Sequence, residues 1–351
     1  MALIYRTKTS SPIHEFDLIH ALRKQYHLRT ASVIRGIGDD AAVITSKAGQ
    51  WTVLTTDLLT EGVHFDLRTA TMADIGFRAA AANLSDIAAM GATPQHLLVS
   101  LAIPRTGTNQ HVHQLYRGMM AACRPHHVRL IGGDTSASSG EWFLSLTLIG
   151  IVPPHTALFR SGAKIGDSLY VTGTIGDALA GLKLLNEPPT RVRRHSRTAT
   201  LSLRHRRFLI GRHLRPTARV AVGRWLNTHG FATSAIDVSD GLSGDLRHIC
   251  EESHVGVEVN LSALPLSPAC RAYAASRKLD PLNLALTGGE DYELLFTVSP
   301  HQRQRLERTA LTRGFPLTCI GEIHPYRFGI QALSLQGTRH RLANTSYTHF
   351  T

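Results

Sequence analysis

The chain is 351 residues long and carries 43% hydrophobic and 18% charged residues, the proportions of a soluble globular protein with about two domains. Its four cysteines are widely separated and form no CxxC pair, which excludes a disulfide framework and a cysteine-ligated zinc site. The formal net charge is +12, so short aspartate clusters in this chain do not reflect a general acidic composition.

Hydrophobic periodicity and turn residues predict alternating helices and strands in the first half. Thr71 followed by Asp74 is typical of a capping box, and Gly91 suits the position after a helix, which predicts a helix over residues 71–90. The other predicted elements are helices over 14–28 and 109–123, strands over 97–103, 128–131 and 142–152, and a strand over 51–56 that delivers Asp57 at its end.

A proline pair at 153–154 ends the last of these strands and marks the best domain boundary. We therefore expect an N-terminal domain over residues 1–153 and a C-terminal domain over 154–351. The second half repeats the alternation, with Asp240 or Ser239 expected as the N-cap of a helix that follows a strand. Mixed helices and strands in both halves predict an α/β or mixed α+β class.

Aspartates recur in short clusters flanked by glycine, serine or threonine. Carboxylates on tight turns suit hard divalent cations, which take oxygen ligands. A carboxylate cannot hold a phosphate directly, but a carboxylate–Mg²⁺–phosphate bridge can, so the clusters indicate metal-dependent phosphate chemistry. They lie at residues 38–40, 55–57, 83–86, 132–134 and 237–241.

The predicted helix over 71–90 carries Asn83 and Asp86 on an otherwise small and apolar surface. Such a surface is expected to be buried, and a buried carboxylate needs a partner. The pattern alone supports two roles for Asp86 equally, a structural pair with an arginine and a metal ligand.

Familiar nucleotide-binding and hydrolase motifs are absent from the sequence. GxxxxGK[ST], GxGxxG, HRD, DFG and GxSxG do not occur, which argues against P-loop, Rossmann, protein-kinase and serine-hydrolase sites. The aspartate clusters therefore remain the main indication of chemistry.

Much of the positive charge lies between residues 191 and 215, where Phe208 is the single Phe, Tyr or Trp. This pattern favours a solvated helix face or connection, although a basic nucleic-acid-binding protein remains an alternative from another class. We expect neither nucleic acid nor a membrane as partner. Residues 1–8 are too polar for a signal peptide and the apolar stretch 143–152 is too short to cross a bilayer, so we expect the cytoplasm.

Seven motifs taken together, in order along the chain, resemble the thiamine-monophosphate kinase family. The resemblance implies the two-domain fold of aminoimidazole ribonucleotide synthetase, with an N-terminal domain that forms a homodimer through its sheet. It also implies transfer of the ATP γ-phosphate to thiamine monophosphate with several Mg²⁺ ions; another ATP-dependent enzyme of the superfamily is the alternative. The motifs lie at residues 36–42, 55–65, 83–92, 130–135, 160–167, 236–241 and 288–293.

The resemblance also implies site residues, and the arginine- and histidine-rich stretch 188–207 departs from the family pattern. Metal ligands are implied at Asp40, Thr55, Thr56, Asp57, Asp86, Asp134, Asp237 and Asp240. ATP contacts are implied at Tyr116, Gly133, Asp134, Arg160 and Ser239, and substrate contacts at His64, Glu290 and Tyr347.

The chemistry of the implied substrate explains why carboxylates dominate these motifs. A phosphate monoester has a second pKa of about 6, so it is mostly a dianion at neutral pH and needs no base to attack. Mg²⁺ ions offset its repulsion from ATP, and we expect direct in-line transfer without a covalent or general-base residue. His64 is then a substrate contact, and Glu290 could face either the cationic thiazolium or the aminopyrimidine.

Overall fold

A computed structural model describes residues 15–26, 32–46, 49–188 and 201–343. Two β-sheets, each associated with helices, make up the described chain, which confirms the predicted mixture of α and β elements. The helices are α1 (Glu15–Tyr26), α2 (Met72–Ala89), α3 (Asn109–Cys123), α4 (Asp177–Leu185), α5 (Leu203–Leu214), α6 (Val220–His229), α7 (Leu242–Ser253), α8 (Pro268–Arg277), α9 (Pro281–Thr287) and α10 (Pro300–Arg313).

The first sheet has six strands in the order β1-β2-β3-β6-β4-β5. All neighbours are antiparallel except β4 and β5, which are parallel. Its inner face packs on α2 and carries most of the N-terminal core. The strands are β1 (Val33–Arg35), β2 (Ala42–Thr45), β3 (Trp51–Thr60), β4 (Thr93–Pro104), β5 (Arg129–Ser138) and β6 (Phe143–Val152).

The second sheet has seven strands in the order β13-β12-β9-β11-β7-β10-β8. Its neighbours are antiparallel except β12 and β9. The strands are β7 (Ser168–Thr172), β8 (Ala232–Asp237), β9 (Val255–Asn260), β10 (Leu294–Val298), β11 (Leu317–Pro325), β12 (Ile330–Leu333) and β13 (Arg339–Arg341).

Helix α2 is the central helix of the molecule, because it contacts elements from both halves. Glycines bring its neighbours very close: a Cβ on Gly118 of α3 would lie 1.9 Å from the Ala73 carbonyl oxygen. A Cβ on Gly223 of α6 would lie 2.0 Å from the Ala88 carbonyl oxygen. The helix is therefore held between α3 and α6 at distances that no larger residue at these positions allows.

The predicted ends of α2 are confirmed. Thr71 is its N-cap and forms the capping box with Asp74, while Met90 is the C-cap. Gly91 follows with φ of +65°, a left-handed conformation that glycine adopts without strain.

Three local predictions were wrong in ways that affect the site. β3 continues to Thr60, so Asp57 lies within the strand and not at its end, because β3 pairs with β6 along its whole length. β5 continues through Asp134 and does not end before it, because it pairs with β4. The N-cap of α7 is Gly241, not Ser239 or Asp240; the carboxylate of Asp245 accepts hydrogen bonds from the Asp240 and Gly241 N–H groups instead.

The two halves share an apolar cluster. Trp225 of α6 and Phe296 of β10 belong to the same buried group as Leu84 and Ile87 of α2. The domain division predicted at residues 153 and 154 falls in the connection between β6 and β7, and it stays a prediction. No helix in the described part of the chain combines the length and the apolar character needed to cross a membrane.

Candidate functional site

Three carboxylates from distant parts of the chain meet where the two halves face each other. Asp40 precedes β2, Asp86 lies on α2, and Asp237 ends β8. One oxygen from each lies within 4.8 Å of the others. This cluster brings together three of the metal ligands that the resemblance implied, from helix α2 and from a position in or beside one strand of each sheet.

Strand β3 adds two further side chains on the face that points to α2. The Thr55 hydroxyl donates a hydrogen bond to Asp86, and Asp57 lies two positions further along the same face. No arginine pairs with Asp86 among the described residues, so the structural alternative considered for this residue is not what the fold shows.

The cluster has buried oxygens that the described chain leaves without hydrogen bonds. They are Oδ2 of Asp40, Oδ2 of Asp57 and Oδ2 of Asp237. A buried carboxylate oxygen without a donor is costly, and Mg²⁺ prefers carboxylate oxygens as protein ligands. The residues present therefore fit a divalent cation.

Burial and mutual repulsion raise the pKa values of these acids. Burial, followed by the charge of Asp40, raises the pKa of Asp237 to about 8. Burial alone raises the pKa of Asp57 to about 6. For Asp86, burial and then the charges of Asp57, Asp237 and Asp40 raise the pKa well above the usual range. Such concentrated negative charge creates a strong potential for cations.

Arg160 contacts the edge of the cluster. The Arg160 guanidinium donates through Nε to Asp40 Oδ1 at 3.0 Å, and its backbone N–H donates to Asp39 Oδ1 at 3.2 Å. Burial and then Asp40 raise the pKa of Asp39 to about 7. Arg160 was implied as an ATP contact; here it neutralises part of the charge at Asp40. Asp39 belongs to the aspartate cluster predicted at residues 38–40, but no site role was implied for it.

Two loops lie side by side next to Asp237. The Glu290 N–H donates to the Ser239 carbonyl oxygen at 2.8 Å, and the Tyr292 N–H donates to Val238 at 2.9 Å. Glu290 and Tyr292 have φ of +65° and +50°, so two non-glycine residues occupy the left-handed region within three positions. Strain of this kind persists where the surroundings fix the backbone, often at a functional site.

Glu290 lies in a polar group that links both halves. Oε2 of Glu290 is 3.4 Å from Nη1 of Arg78 on α2 and 3.2 Å from Nδ1 of His213 on α5. Arg78 also donates to the backbone carbonyl oxygen of His64. The two substrate contacts implied by the resemblance, His64 and Glu290, are therefore joined through one buried arginine.

The basic segment was predicted as a solvated face or connection, and this prediction was wrong at the C-terminal end of α5. Arg212 and His213 are largely buried because acids face them. Arg212 donates to Glu293 at 2.8 Å, and Arg219 donates through Nε to Glu293 at 2.6 Å. Residues 191–200 lie outside the described residues.

Several implied site residues lie away from the carboxylate cluster. The Thr56 hydroxyl is on the opposite face of β3, bonded to Leu146 and Thr147. Gly133 and Asp134 are exposed on β5, three strand spacings from β3, which is about 14 Å. Tyr116 is half-buried on α3, and Tyr347 lies outside the described residues. Asp240 is nearer the cluster, because it lies close to the buried Asp245, whose pKa is raised by burial and then by the charges of Asp240 and Asp237.

The residues to which sequence reasoning assigned no site role are Asp39, Arg78, His213 and Asp245. Arg78 could have been found from the sequence, because it is the single arginine of the alanine-rich helix α2 and a charge on a buried helix requires a partner. His213 offered no such signal, because nothing in its neighbourhood along the chain indicates burial.

Comparisons with known proteins cover nearly the whole chain. Models of the AIR synthase related protein family match it, the N-terminal domain at residues 38–152 and the C-terminal domain at residues 164–327. The thiamine-monophosphate kinase of Bacillus subtilis is 38% identical over 339 residues, covering 96% of this chain and 99% of that protein. The Escherichia coli thiamine-monophosphate kinase is 39% identical over 312 residues, covering 88% and 90%.

A solved structure agrees with these relatives. AaThiL complexed with AMPPCP and TMP superposes with a TM-score of 0.82 at 32% identity. The match covers 98% of this chain and 100% of that one. The similarity therefore extends over both sheets and over the cluster between them.

Proposed function

The chain belongs to the thiamine-monophosphate kinase family, and from this premise we propose that it transfers the γ-phosphate of ATP to thiamine monophosphate, giving thiamine diphosphate and ADP. Its fold is the mixed α/β, two-domain fold of the AIR synthase related proteins, as the sequence resemblance implied. The observation that carries the activity in this chain is the convergence of Asp40, Asp86 and Asp237 within 4.8 Å.

We propose that Asp40, Asp57, Asp86 and Asp237 hold Mg²⁺. The buried oxygens without hydrogen bonds on Asp40, Asp57 and Asp237 support this assignment. Mg²⁺ held there would screen the negative charge of the two phosphate groups that must approach each other. The other implied contacts remain predictions: Thr55, Thr56, Asp134 and Asp240 as metal ligands, Tyr116, Gly133, Asp134, Arg160 and Ser239 for ATP, and His64, Glu290 and Tyr347 for the substrate.

Neither the three fully buried thiols of the chain nor the site carboxylates offer a good nucleophile, which favours direct transfer to the substrate phosphate. Burial raises the pKa values of Cys123, Cys250 and Cys270 to about 12, so these thiols stay protonated at neutral pH and are poor nucleophiles. Asp40 and Asp237 would hold the metal, and their oxygens would then not be available as nucleophiles. The substrate dianion is itself the attacking group.

A coupled assay for ADP release tests this function. The purified protein is supplied with ATP and Mg²⁺, and either thiamine monophosphate, thiamine or neither compound. ADP release that requires thiamine monophosphate, at a rate at least about 100-fold above that with thiamine, is expected, a barrier difference of about 3 kcal/mol. Equal rates in the three reactions would show that the substrate is wrong, and salt-dependent nucleic-acid binding without ADP release would favour the alternative class.

We further propose a homodimer formed through the first sheet. The face of β3 that points away from α2 exposes Leu58, and the edge strand β5 exposes Leu130 and Ile131. Exposed apolar residues beside an unpaired strand edge favour association. Sedimentation velocity should give about 77 kDa, twice the chain mass of 38.4 kDa, and a Leu58→Glu variant should shift towards the monomer.

We also propose that the enzyme works in the cytoplasm. ATP as co-substrate supports this location, and so do the four cysteines, which are all described and form no disulfide. Cell fractionation with an antibody against the chain would locate it directly.

A further inference from the structure

Asp245 is a buried acid in the first turn of α7, next to the segment that carries Asp237. The residue is 2% exposed. Its Oδ2 accepts the N–H of Asp240 at 3.3 Å and the N–H of Gly241 at 3.1 Å. Both donors therefore converge on one carboxylate oxygen, and among the described residues no salt bridge includes Asp245.

These bonds run from the helix back into the chain before it. Gly241 is the N-cap of α7 and has no side chain to accept a hydrogen bond. In a capping box an acid inside the helix accepts the N–H of the N-cap residue, and Asp245 does this for the N-cap and for the residue before it. Asp245 therefore orients the peptide groups at the end of the 237–241 segment.

The start of the same segment is held by the loop before β10. The Val238 N–H donates to the Glu293 carbonyl oxygen at 2.8 Å, and the Ser239 carbonyl oxygen accepts the Glu290 N–H at 2.8 Å. These bonds leave the N–H groups of the next two residues to Asp245. The segment is therefore fixed from two sides, and Asp245 supplies the side nearest to α7.

The 237–241 segment carries two carboxylates that matter for the site. Asp237, at the end of β8, contributes an oxygen to the carboxylate cluster, and the resemblance implies Asp240 as a further metal ligand. Gly241 has φ of +110°, and a glycine backbone keeps wide conformational freedom unless other contacts fix it. Groups outside the ligands themselves commonly hold metal ligands in place. Asp245 has this position relative to Asp237 and Asp240.

We propose that Asp245 is a positioning residue of the metal site, which holds the 237–241 segment so that Asp237 and Asp240 can present their carboxylates to Mg²⁺. It acts as a hydrogen-bond acceptor and not as a metal ligand. This inference rests on the proposed function, and it adds a residue for which the resemblance implied no role.

Mg²⁺ binding by the metal-free protein tests this role apart from turnover. Calorimetric titration of Mg²⁺ without ATP gives the Kd for the wild type, Asp245→Ala and Asp245→Asn. Asp245→Ala removes the acceptor and should raise Kd about tenfold, the scale of a lost hydrogen bond to a charged group. Asp245→Asn keeps one acceptor oxygen, which is all that the two N–H groups use, so its Kd should lie within about threefold of the wild type.

The coupled assay for ADP release adds a second readout. In Asp245→Ala the Mg²⁺ concentration for half-maximal release should rise about tenfold, while kcat at saturating Mg²⁺ stays within about threefold of the wild type, because the ligands themselves are intact. Asp280→Ala is the matched control. Asp280 is the N-cap of α9 and accepts the Leu282 N–H at 2.9 Å, but it is exposed, so its removal should leave Kd and the Mg²⁺ dependence unchanged.

Other outcomes would overturn the inference. A Kd for Asp245→Ala equal to that of the wild type would show that the two bonds serve the helix alone. If Asp245→Asn raised Kd as much as Asp245→Ala, the charge itself would be required and Asp245 would be a metal ligand. If Asp245→Ala does not fold, as judged by thermal denaturation, Asp245→Ser takes its place under the same criteria, because its hydroxyl lies one bond closer to the backbone. Failure of the proposed function has a different signature, since the wild type would then bind Mg²⁺ but release no ADP with thiamine monophosphate.

Discussion

Two groups of buried acids in this molecule differ in what faces them. Asp86 and Asp237 form no salt bridge among the described residues, and the charge of Asp237 adds to the burial that raises the pKa of Asp86. In the C-terminal half, Glu293 is fully buried as well, but Arg212, Arg219 and the Thr172 hydroxyl all donate to it. The second group completes its charge balance within the chain, and the first requires a cation from outside.

The comparison shows how buried acids that stabilise the fold can be distinguished from buried acids that form a ligand site. Acids whose partners are supplied by the fold stabilise a particular arrangement of elements, here the loop before β10 against α5 and α6. Acids that share a small volume without basic partners destabilise the empty protein, and such a cost is typical of a ligand site. The predictions below test this division from the largest expected effect to the smallest.

The largest effect is expected from the carboxylates that have no basic partner. Asp86→Asn and Asp237→Asn should each lower kcat for thiamine monophosphate at least about 1000-fold, which corresponds to about 4 kcal/mol in barrier. Because each change removes repulsion, the thermal midpoint of the metal-free protein should stay equal or rise. Near-normal turnover of both variants at saturating Mg²⁺ would contradict the assignment of the cluster.

The partnered acid should behave in the opposite way. Glu293→Gln leaves the largely buried Arg212 and the half-buried Arg219 without their carboxylate and should lower the free energy of unfolding by about 3 kcal/mol, as for other broken buried ion pairs. Urea denaturation measures this change. If Glu293→Gln were as stable as the wild type, the C-terminal network would not be the structural element described above.

The pH dependence of stability should distinguish the two groups. Folding raises the pKa of Asp57 to about 6 and that of Asp237 to about 8, so between the unfolded pKa near 4 and these values the folded chain binds more protons. The metal-free protein should therefore lose stability as pH rises from 5 to 8, by about 1 kcal/mol per pH unit. Thermal melts in chelator should show this decline, saturating Mg²⁺ should suppress it, and Asp237→Asn should flatten it.

The smallest effect is expected from an exposed pair. Arg215→Ala removes a contact of 2.7 Å with Asp74, but the arginine side chain is 54% exposed. Solvent-exposed pairs contribute about 0–1 kcal/mol, so the free energy of unfolding measured by urea denaturation should barely change. A loss of unfolding free energy comparable to that of Glu293→Gln would mean that the exposure of an ion pair does not determine its contribution to stability.

Local signals explain which parts of this structure were predictable. The ends of α2 follow from Thr71, Asp74 and Gly91, which act within one or two turns of the chain. The strands around Asp57 and Asp134 extend further than predicted because their lengths depend on pairing with β6 and β4, which lie far away in sequence.

The same distinction applies to the site. Asp40, Asp86 and Asp237 were found because each belongs to a motif with its own local pattern. His213 was not found, since its partners Arg78 and Glu290 stand 135 and 77 positions away along the chain. Contacts of that range arise only when the two halves pack together.

Helix α2 determines a distance as well as a contact. Arg78 and Asp86 stand eight positions apart on this helix, which corresponds to about 12 Å along its axis. Arg78 contacts Glu290, which the resemblance implies as a substrate contact, and Asp86 belongs to the cluster proposed to bind the metal. The helix therefore fixes the spacing between these two contacts, and this spacing selects molecules by length. A compound with a shorter link between its ring and its phosphate could reach one contact or the other, but not both.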